Sequence, residues 1–178
     1  MNNRFPVPEK DEVGAINQGI YDMMTKAVGF MPNLYAELAY SSHALKTYMT
    51  AQNSPSSLTA KEKEAVNLVV SQVNTCAYCL AAHSELARRA GFTDDQIIQI
   101  RKGKVNFDPK LDALVAFTKS LMENKGHVQN ALVNNFFTAG YSNENMMDLL
   151  VLAGIRLIAN YLYALTNVDI DWPHASEI

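Results

Sequence analysis

Apolar residues recur every three or four positions along most of this 178-residue chain, a spacing that is typical of amphipathic α-helices. The sequence has no sustained alternation of apolar and polar residues, which would indicate strands. Glycine and proline fall at the edges of the periodic segments. The pattern therefore predicts an all-α protein of about eight helices, folded as a single domain over residues 1–178.

Local signals set the predicted bounds of these helices. Thr59 and Thr93 each open a capping-box pattern, with Glu62 and Gln96 three residues later. Pro109 after Asp108 predicts another helix start. Residues 1–10 are predicted to form an irregular arm and residues 167–178 an extended tail. The predicted helices are 11–28, one or two helices between 32 and 52, 59–74, 75 or 76 to 91, 93–102, 109–124, 128–138 and 143–166.

Composition and charge argue against two classes of partner. The chain is 48% hydrophobic and 19% charged, with a net charge of −3 and a pI of about 5.8. With no run of basic residues, we expect neither nucleic acid nor an anionic membrane as the main partner. No secretory signal is evident, so we expect a reducing cytoplasm.

The most apolar stretch runs from Leu149 to Leu165 and carries Arg156 and Asn160. It is interpreted as a buried helix, too short and too polar to span a membrane. A buried Arg156 needs a partner, which an oligomer interface could supply.

The chain has only two cysteines, Cys76 and Cys79, and His83 follows four residues later. On a helix these three side chains share one face, because neighbours three and four positions apart stack. Thiols in a first helical turn have a lowered pKa, and the thiolate is the nucleophile. His83 can accept a proton from Cys79 or hold it in a hydrogen bond. The spacing therefore favours a dithiol that cycles to a disulfide.

The cysteine pair has two other possible uses. A permanent disulfide over so short a loop would stabilise the fold by only roughly 2 kcal/mol. Zinc is the more serious alternative, because the pair and His83 supply three suitable ligands and a glutamate could complete the set. Redox use remains the favoured interpretation. The sequence contains no Gly-rich phosphate loop, so we expect no nicotinamide, flavin or other bound cofactor.

The motif formed by Glu64, eleven intervening residues and Cys76-x-Tyr78-Cys79-x3-His83 resembles the AhpD-like alkylhydroperoxidase group of the carboxymuconolactone decarboxylase superfamily. Further similarity lies in residues 29–34, in residues 58–64 before the motif, in residues 88–92 after it, and in the closing 169–173. Decarboxylase members generally lack the cysteine pair, so the chain is similar to the redox branch. The resemblance covers most of the chain and implies an AhpD-like domain whose motif region is 58–104.

The resemblance implies a thiol-dependent peroxidase with named roles. Cys79 would attack the hydroperoxide, and Cys76 would resolve the resulting sulfenic acid to a disulfide. His83 and Glu64 would form a proton relay. Tyr78 stands where some members carry histidine, and it would serve as a hydrogen-bond donor rather than a base. A lipoyl-type or thioredoxin-type dithiol would recycle the enzyme, and a homotrimer or hexamer would assemble through the apolar segment 146–165.

Some alternatives stay open at this stage. The electrostatics of the helix terminus alone favour Cys76 as the lower-pKa thiol, whereas the resemblance favours Cys79. Glu64 lies on a polar strip with Lys61, Asn67 and Ser71 that could simply face solvent. The chain could also be a redox-sensing or metal-binding helical oligomer without enzymatic activity. A lyase of the decarboxylase type is a poorer interpretation, because it leaves the cysteine pair without a role.

Overall fold

The computed structural model describes residues 5–178, and all regular structure in this part of the chain is helical. The all-α prediction is therefore confirmed. A single 3-10 turn at Lys10–Glu12 precedes nine α-helices. They are α1 Ala15–Val28, α2 Asn33–Leu38, α3 Ala44–Gln52, α4 Ala60–Val73, α5 Ala77–Arg89, α6 Asp94–Lys102, α7 Pro109–Glu123, α8 Asn130–Thr138 and α9 Asn143–Thr166.

Two predicted helix starts were wrong by a few residues. The segment before α1 does not begin a helix at Asp11, because Glu9 and Glu12 close a capping box on the 3-10 turn and Val13 is extended. Gly14 is then the N-cap of α1. The eighth helix begins at Asn130 rather than at residue 128. Of the predicted arm, residues 1–4 lie outside the described residues.

Both predicted capping boxes are present. Thr59 Oγ1 accepts the backbone N–H of Glu62, whose carboxylate accepts the N–H of Thr59 at 2.8 Å. Thr93 and Gln96 exchange the corresponding bonds at the start of α6. Such boxes satisfy backbone donors that a helix start leaves unpaired. The first box fixes where α4 begins, and α4 carries Glu64.

The backbone contacts divide the chain into two compact units. The first consists of the described part of Met1–Ser54 together with Tyr161–Asp171. Within it, Asp171 accepts the backbone N–H of Asn33 at 2.7 Å, at the start of α2. The Tyr21 hydroxyl donates to Pro8 O at 2.7 Å. These bonds attach part of the tail and the segment before α1 to this unit, while the prediction of a single domain stays a prediction.

The second unit consists of Pro55–Asn160 and Trp172–Ile178, and α4 lies at its centre. This helix packs against α5, α6 and α7, and α7 packs in turn against α8. Leu68, Val69 and Val70 of α4 are almost fully buried in an apolar core that α7 and α9 also line. Because α4 is held on several sides, the polar residues on it are held in fixed positions too.

The long helix α9 is less buried than the sequence suggested. Its Leu149 and Ala153 join the core, but Met147, Val151 and Ile158 are 53–59% exposed. At 24 residues it is long and apolar enough to cross a membrane by length and composition, so the prediction that it is too short was wrong. A single helix of this kind is weak evidence for a membrane span, because core helices of soluble proteins meet the same criterion.

Candidate active site

The two cysteines follow directly on a tight turn between α4 and α5. Thr75 adopts a left-handed conformation with φ of 52°. Its N–H donates to Gln72 O at 3.1 Å, and the N–H of Cys76 donates to Ser71 O at 2.9 Å. These two bonds form the Schellman motif that ends many helices, although glycine usually occupies the left-handed position. The turn thus ends α4 and sets Cys76 at the start of the next helix.

Cys76 is the N-cap of α5. Its sulfur accepts the backbone N–H of Cys79 at 3.3 Å. Both thiols are reduced and only 1% exposed. Side chains at an N-cap and in the first turn lie near unpaired backbone N–H groups, which favour a negative charge. The predicted placement of the pair in the first turn is therefore correct to within one residue.

His83 and Glu64 form the second part of the site. Nδ1 of His83 lies 2.7 Å from Oε2 of Glu64, which joins α5 to α4. The side chains of His83 and Glu64 are 5% and 17% exposed. An ionised carboxylate only accepts hydrogen bonds, so we assign the proton of this contact to Nδ1. The other ring nitrogen is then unprotonated and can act as a base.

Burial and the charge of Arg156 lower the pKa of His83, against the opposing effect of Glu64. The pKa of Glu64 is also lowered. Burial opposes that shift, but the interaction with His83, the charge of Arg156 and a hydrogen bond from Asn67 outweigh it. At neutral pH the pair is therefore a carboxylate and a neutral imidazole.

A polar network lies behind this pair, where the sequence allowed a solvated strip. Asn67 and Ser71 are 4% and 0% exposed. Asn67 Nδ2 lies 3.5 Å from Glu64 Oε1, and its Oδ1 accepts a hydrogen bond from Nε of Arg156 at 3.2 Å. Asn160 Nδ2 lies 3.4 Å from the Ser71 hydroxyl. The interpretation of this strip as solvent-facing was therefore wrong for Asn67 and Ser71.

The sequence allowed a partner for Arg156 at an oligomer interface. In the structure, Asn67 of the same chain accepts a hydrogen bond from Arg156. The signal was present in two helices. Polar residues at 156 and 160 interrupt an apolar helix with a four-residue spacing, and those at 67 and 71 repeat this spacing on the polar strip of α4. Polar residues with equal spacing on two helices are a signal of contact between the helices.

The two thiols differ in acidity. The pKa of Cys79 is lowered to about 7, and the largest cause is a hydrogen bond from the Cys76 thiol. Burial raises this pKa, whereas the charge of Arg156 and hydrogen bonds from Asn160 and Arg156 lower it further. The pKa of Cys76 is raised, first because its proton is held in the bond to Cys79 and second by burial. These directions favour Cys79 as the thiolate, while its role as the attacking thiol stays a prediction.

Tyr78, the remaining predicted site residue, is buried at 2% exposure beside the two cysteines. Its role stays a prediction. Within residues 5–178, no group of three or more His, Cys, Asp or Glu side chains is arranged to hold a metal ion.

Residues 41–119 match the model of the carboxymuconolactone decarboxylase family. No curated protein matches the chain. Among solved structures, a peroxidase-related protein with an alkylhydroperoxidase AhpD core, from Ralstonia eutropha JMP134, superposes with a TM-score of 0.85. It is 20% identical, over 94% of this chain and 92% of that one. A peroxidase-related protein from Silicibacter sp. TM1040 gives 0.79 at 18% identity, over 93% and 89%.

The debrominase Bmp8, solved in complex with 2,3,4-tribromopyrrole, superposes with a TM-score of 0.81 at 15% identity, over 96% of this chain and 93% of that one. At such identities these structures show a shared fold. The AhpD-like, all-α fold implied by the sequence is thus confirmed, while chemistry has to be argued from the site.

Proposed function

Since this chain belongs to the carboxymuconolactone decarboxylase superfamily, we propose that it is a thiol-dependent peroxidase that reduces organic hydroperoxides or hydrogen peroxide. The observation that carries the proposal is the asymmetry of the cysteine pair. One thiol has a pKa of about 7, and the other is hydrogen-bonded to it and retains its proton. An acidic thiol beside a resolving thiol is the arrangement that two-step peroxide reduction needs.

In the first step, the Cys79 thiolate attacks the terminal oxygen of the hydroperoxide. An S–O bond forms, the O–O bond breaks, and the alkoxide leaves and takes up a proton to become an alcohol. Cys79 is then a sulfenic acid. In the second step, the Cys76 sulfur attacks Cys79, water leaves, and a disulfide forms. The pair has then supplied both electrons that reduce the peroxide.

The second step needs a base, because burial raises the pKa of Cys76 and a thiol of ordinary or raised pKa is mostly protonated at neutral pH. His83 is neutral, has one unprotonated nitrogen and lies on the same helix as Cys79. It accepts the proton that Cys76 loses, and Glu64 stabilises the imidazolium that results. The imidazole is thus a base that becomes charged only when the reaction supplies a proton.

The cycle closes when an external dithiol reduces the disulfide, which restores both thiols and leaves the donor oxidised. A lipoyl-type or thioredoxin-type reductant meets this need, and a reducing cytoplasm would sustain it. We also propose that the chain forms a homo-oligomer, a trimer or a hexamer, through the exposed apolar residues of α9. Sedimentation of Val151→Asp tests this, because the proposal requires smaller species than the wild type forms.

The proposed activity is tested by steady-state consumption of tert-butyl hydroperoxide by reduced, metal-free protein with excess dihydrolipoamide. Cys79→Ser is the matched variant, because it changes one atom and keeps the size of the side chain. Many turnovers that vanish in Cys79→Ser are expected. Less than one turnover per cysteine pair would leave a redox sensor or a metal site as the better interpretation.

Reductive dehalogenation is a second candidate, favoured by the fold shared with the debrominase Bmp8. The same dithiol balances that reaction, because two thiols supply two electrons, hydrogen replaces bromine on carbon, bromide leaves and a disulfide forms. Bromide release from 2,3,4-tribromopyrrole under the same reducing conditions distinguishes the two. Bromide without hydroperoxide turnover would select the dehalogenase, and the reverse result would select the peroxidase.

A further inference from the structure

Arg156 is a charged residue buried in the middle of an apolar helix. It is 2% exposed, and core residues Leu149 and Ala153 precede it on α9. Burying a guanidinium costs several kcal/mol unless nearby groups compensate its charge. The helix therefore carries a residue that packing alone does not explain.

The side chains around Arg156 connect it to both parts of the candidate site. Its Nε donates to Asn67 Oδ1 at 3.2 Å, and the amide of that asparagine faces Glu64, which holds His83. The charge of its guanidinium, and a hydrogen bond from it, also lower the pKa of Cys79. Arg156 of α9 thus lies next to Cys79 and, through Asn67, next to the Glu64–His83 pair. These are the two parts of the site whose charge changes during a thiol cycle.

Asn160, one turn further along α9, is oriented by its own partners. Its Oδ1 accepts a hydrogen bond from Asn74 Nδ2 at 3.2 Å, so the oxygen points away from any anion. Its amide nitrogen lies 3.4 Å from the Ser71 hydroxyl, and its hydrogen bonds lower the pKa of both Cys79 and Cys76. The amide therefore presents N–H groups to the thiol, as stabilisation of a thiolate requires.

We propose that α9 supplies the anion site of the dithiol: Arg156 provides the permanent counter-charge of the Cys79 thiolate, and the Asn160 amide donates the hydrogen bond that orients it. Besides Cys79, the candidate site described above contains four groups that can carry a charge: Glu64 from α4, Cys76 and His83 from α5, and Arg156 from α9. Arg156 is the only one of these four whose charge does not change in the accessible pH range.

The arrangement explains why the second cysteine of the motif is the acidic one. The helix terminus favours the sulfur nearest to it, which is Cys76 at the N-cap. The charge of Arg156 and the hydrogen bonds that Arg156 and Cys76 donate lower the pKa of Cys79 alone and outweigh that preference, whereas the Asn160 amide lowers the pKa of both thiols. The choice of nucleophile thus depends on a helix that lies more than sixty residues beyond the motif.

This inference deepens the proposed function, and it rests on that function only for its effect on turnover. Thiolate formation is measured without any peroxide, from the pH profile of iodoacetamide alkylation at Cys79, mapped by mass spectrometry. The measured quantity is the midpoint of the pH profile. Burial of the thiol slows alkylation at every pH, so it changes the rate but not the midpoint. Failure of the peroxidase assay therefore leaves this test intact.

Arg156→Gln is the test variant and Arg101→Gln the matched control. Arg101 is also buried, at 7% exposure, and donates to Gln72 and to the backbone oxygen of Ser176. Each variant loses one buried guanidinium, but only Arg156→Gln loses a guanidinium beside the Cys79 thiol.

We expect the midpoint to rise by about one unit in Arg156→Gln, which lowers the thiolate fraction at neutral pH about fivefold. Arg156→Lys, which keeps the charge, should recover most of the shift. Equal midpoints for Arg156→Gln and Arg101→Gln would overturn the proposal. Should Arg156→Gln fail to fold, Asn160→Ser decides: a smaller upward shift supports the proposal, and an unchanged midpoint refutes it.

Discussion

Acidification tests the electrostatics of the Glu64–His83 pair directly. Burial and Arg156 lower the pKa of His83 in the folded protein, whereas an unfolded chain binds a proton at this residue near the ordinary value of 6.5. Below that value the unfolded state binds more protons than the folded state. The free energy of unfolding therefore falls as the pH falls, and this contribution is fully present only above pH 6.5.

The size of the loss follows from linkage. A histidine that stays neutral in the folded state while the unfolded state titrates costs about 1 kcal/mol between pH 6.5 and about pH 5.5. Glu64 affects the free energy of unfolding at lower pH. Its folded pKa lies below the ordinary value of 4.5, so its contribution is present above that value and is lost as the pH falls further. The contributions of His83 and Glu64 to stability can therefore be told apart by the pH range in which each one is lost.

The assay is urea unfolding followed by circular dichroism at several values between about pH 7.5 and about pH 5.5. His83→Gln should lose about 1 kcal/mol less stability over this range than the wild type. Glu64→Gln should lose at least as much as the wild type, because removing the carboxylate removes an interaction that favours the imidazolium. Equal losses in wild type and His83→Gln would refute the assignment of a neutral buried imidazole.

Four further substitutions, three near the site and one in another turn, test the local structure by urea unfolding at neutral pH. Thr75→Gly should stabilise the protein by up to about 1 kcal/mol, because glycine adopts the left-handed conformation without the strain of a threonine. Lys125→Gly, at φ 52° in another turn, should stabilise the protein in the same way. A loss of stability in both variants would contradict the strain argument. Asn67→Ala should destabilise by about 1–3 kcal/mol, because it deprives Nε of Arg156 of its acceptor; a neutral effect would mean that water replaces the amide. Thr59→Ala should cost about 1 kcal/mol through its lost capping bond, and no change would discount the box.

Much of the fold could be predicted from the sequence, because its signals are local. Apolar periodicity and capping residues gave α9 its observed bounds and placed the ends of α4 and α6 within a residue. The start of α1 was missed, since a short 3-10 turn with its own capping box precedes it. The exposure of one face of α9 was missed too, because an apolar pattern does not reveal which face lacks a neighbour.

The candidate site was predicted in part. Cys76, Cys79 and His83 lie close in sequence, and their spacing places them on one helix face. Glu64 was assigned by resemblance rather than by pattern, and the structure places it against His83. Arg156 and Asn160 were noticed as polar, but their partners are more than eighty residues away in the chain. Contacts of that kind depend on tertiary packing, and the only sequence signal of this one is the equal four-residue spacing of the polar residues at 67 and 71 and at 156 and 160.

The central claim is that Cys79 attacks a hydroperoxide and Cys76 resolves the product. The most direct measurement adds one equivalent of tert-butyl hydroperoxide to reduced Cys76→Ser and to reduced Cys79→Ser, with dimedone present to trap sulfenic acid, and maps the adduct by mass spectrometry. The account predicts an adduct at Cys79 in Cys76→Ser and none in Cys79→Ser. An adduct at Cys76 in Cys79→Ser, with none in the other variant, would reverse the roles of the two thiols. The absence of an adduct in both variants would contradict peroxide reduction by this site.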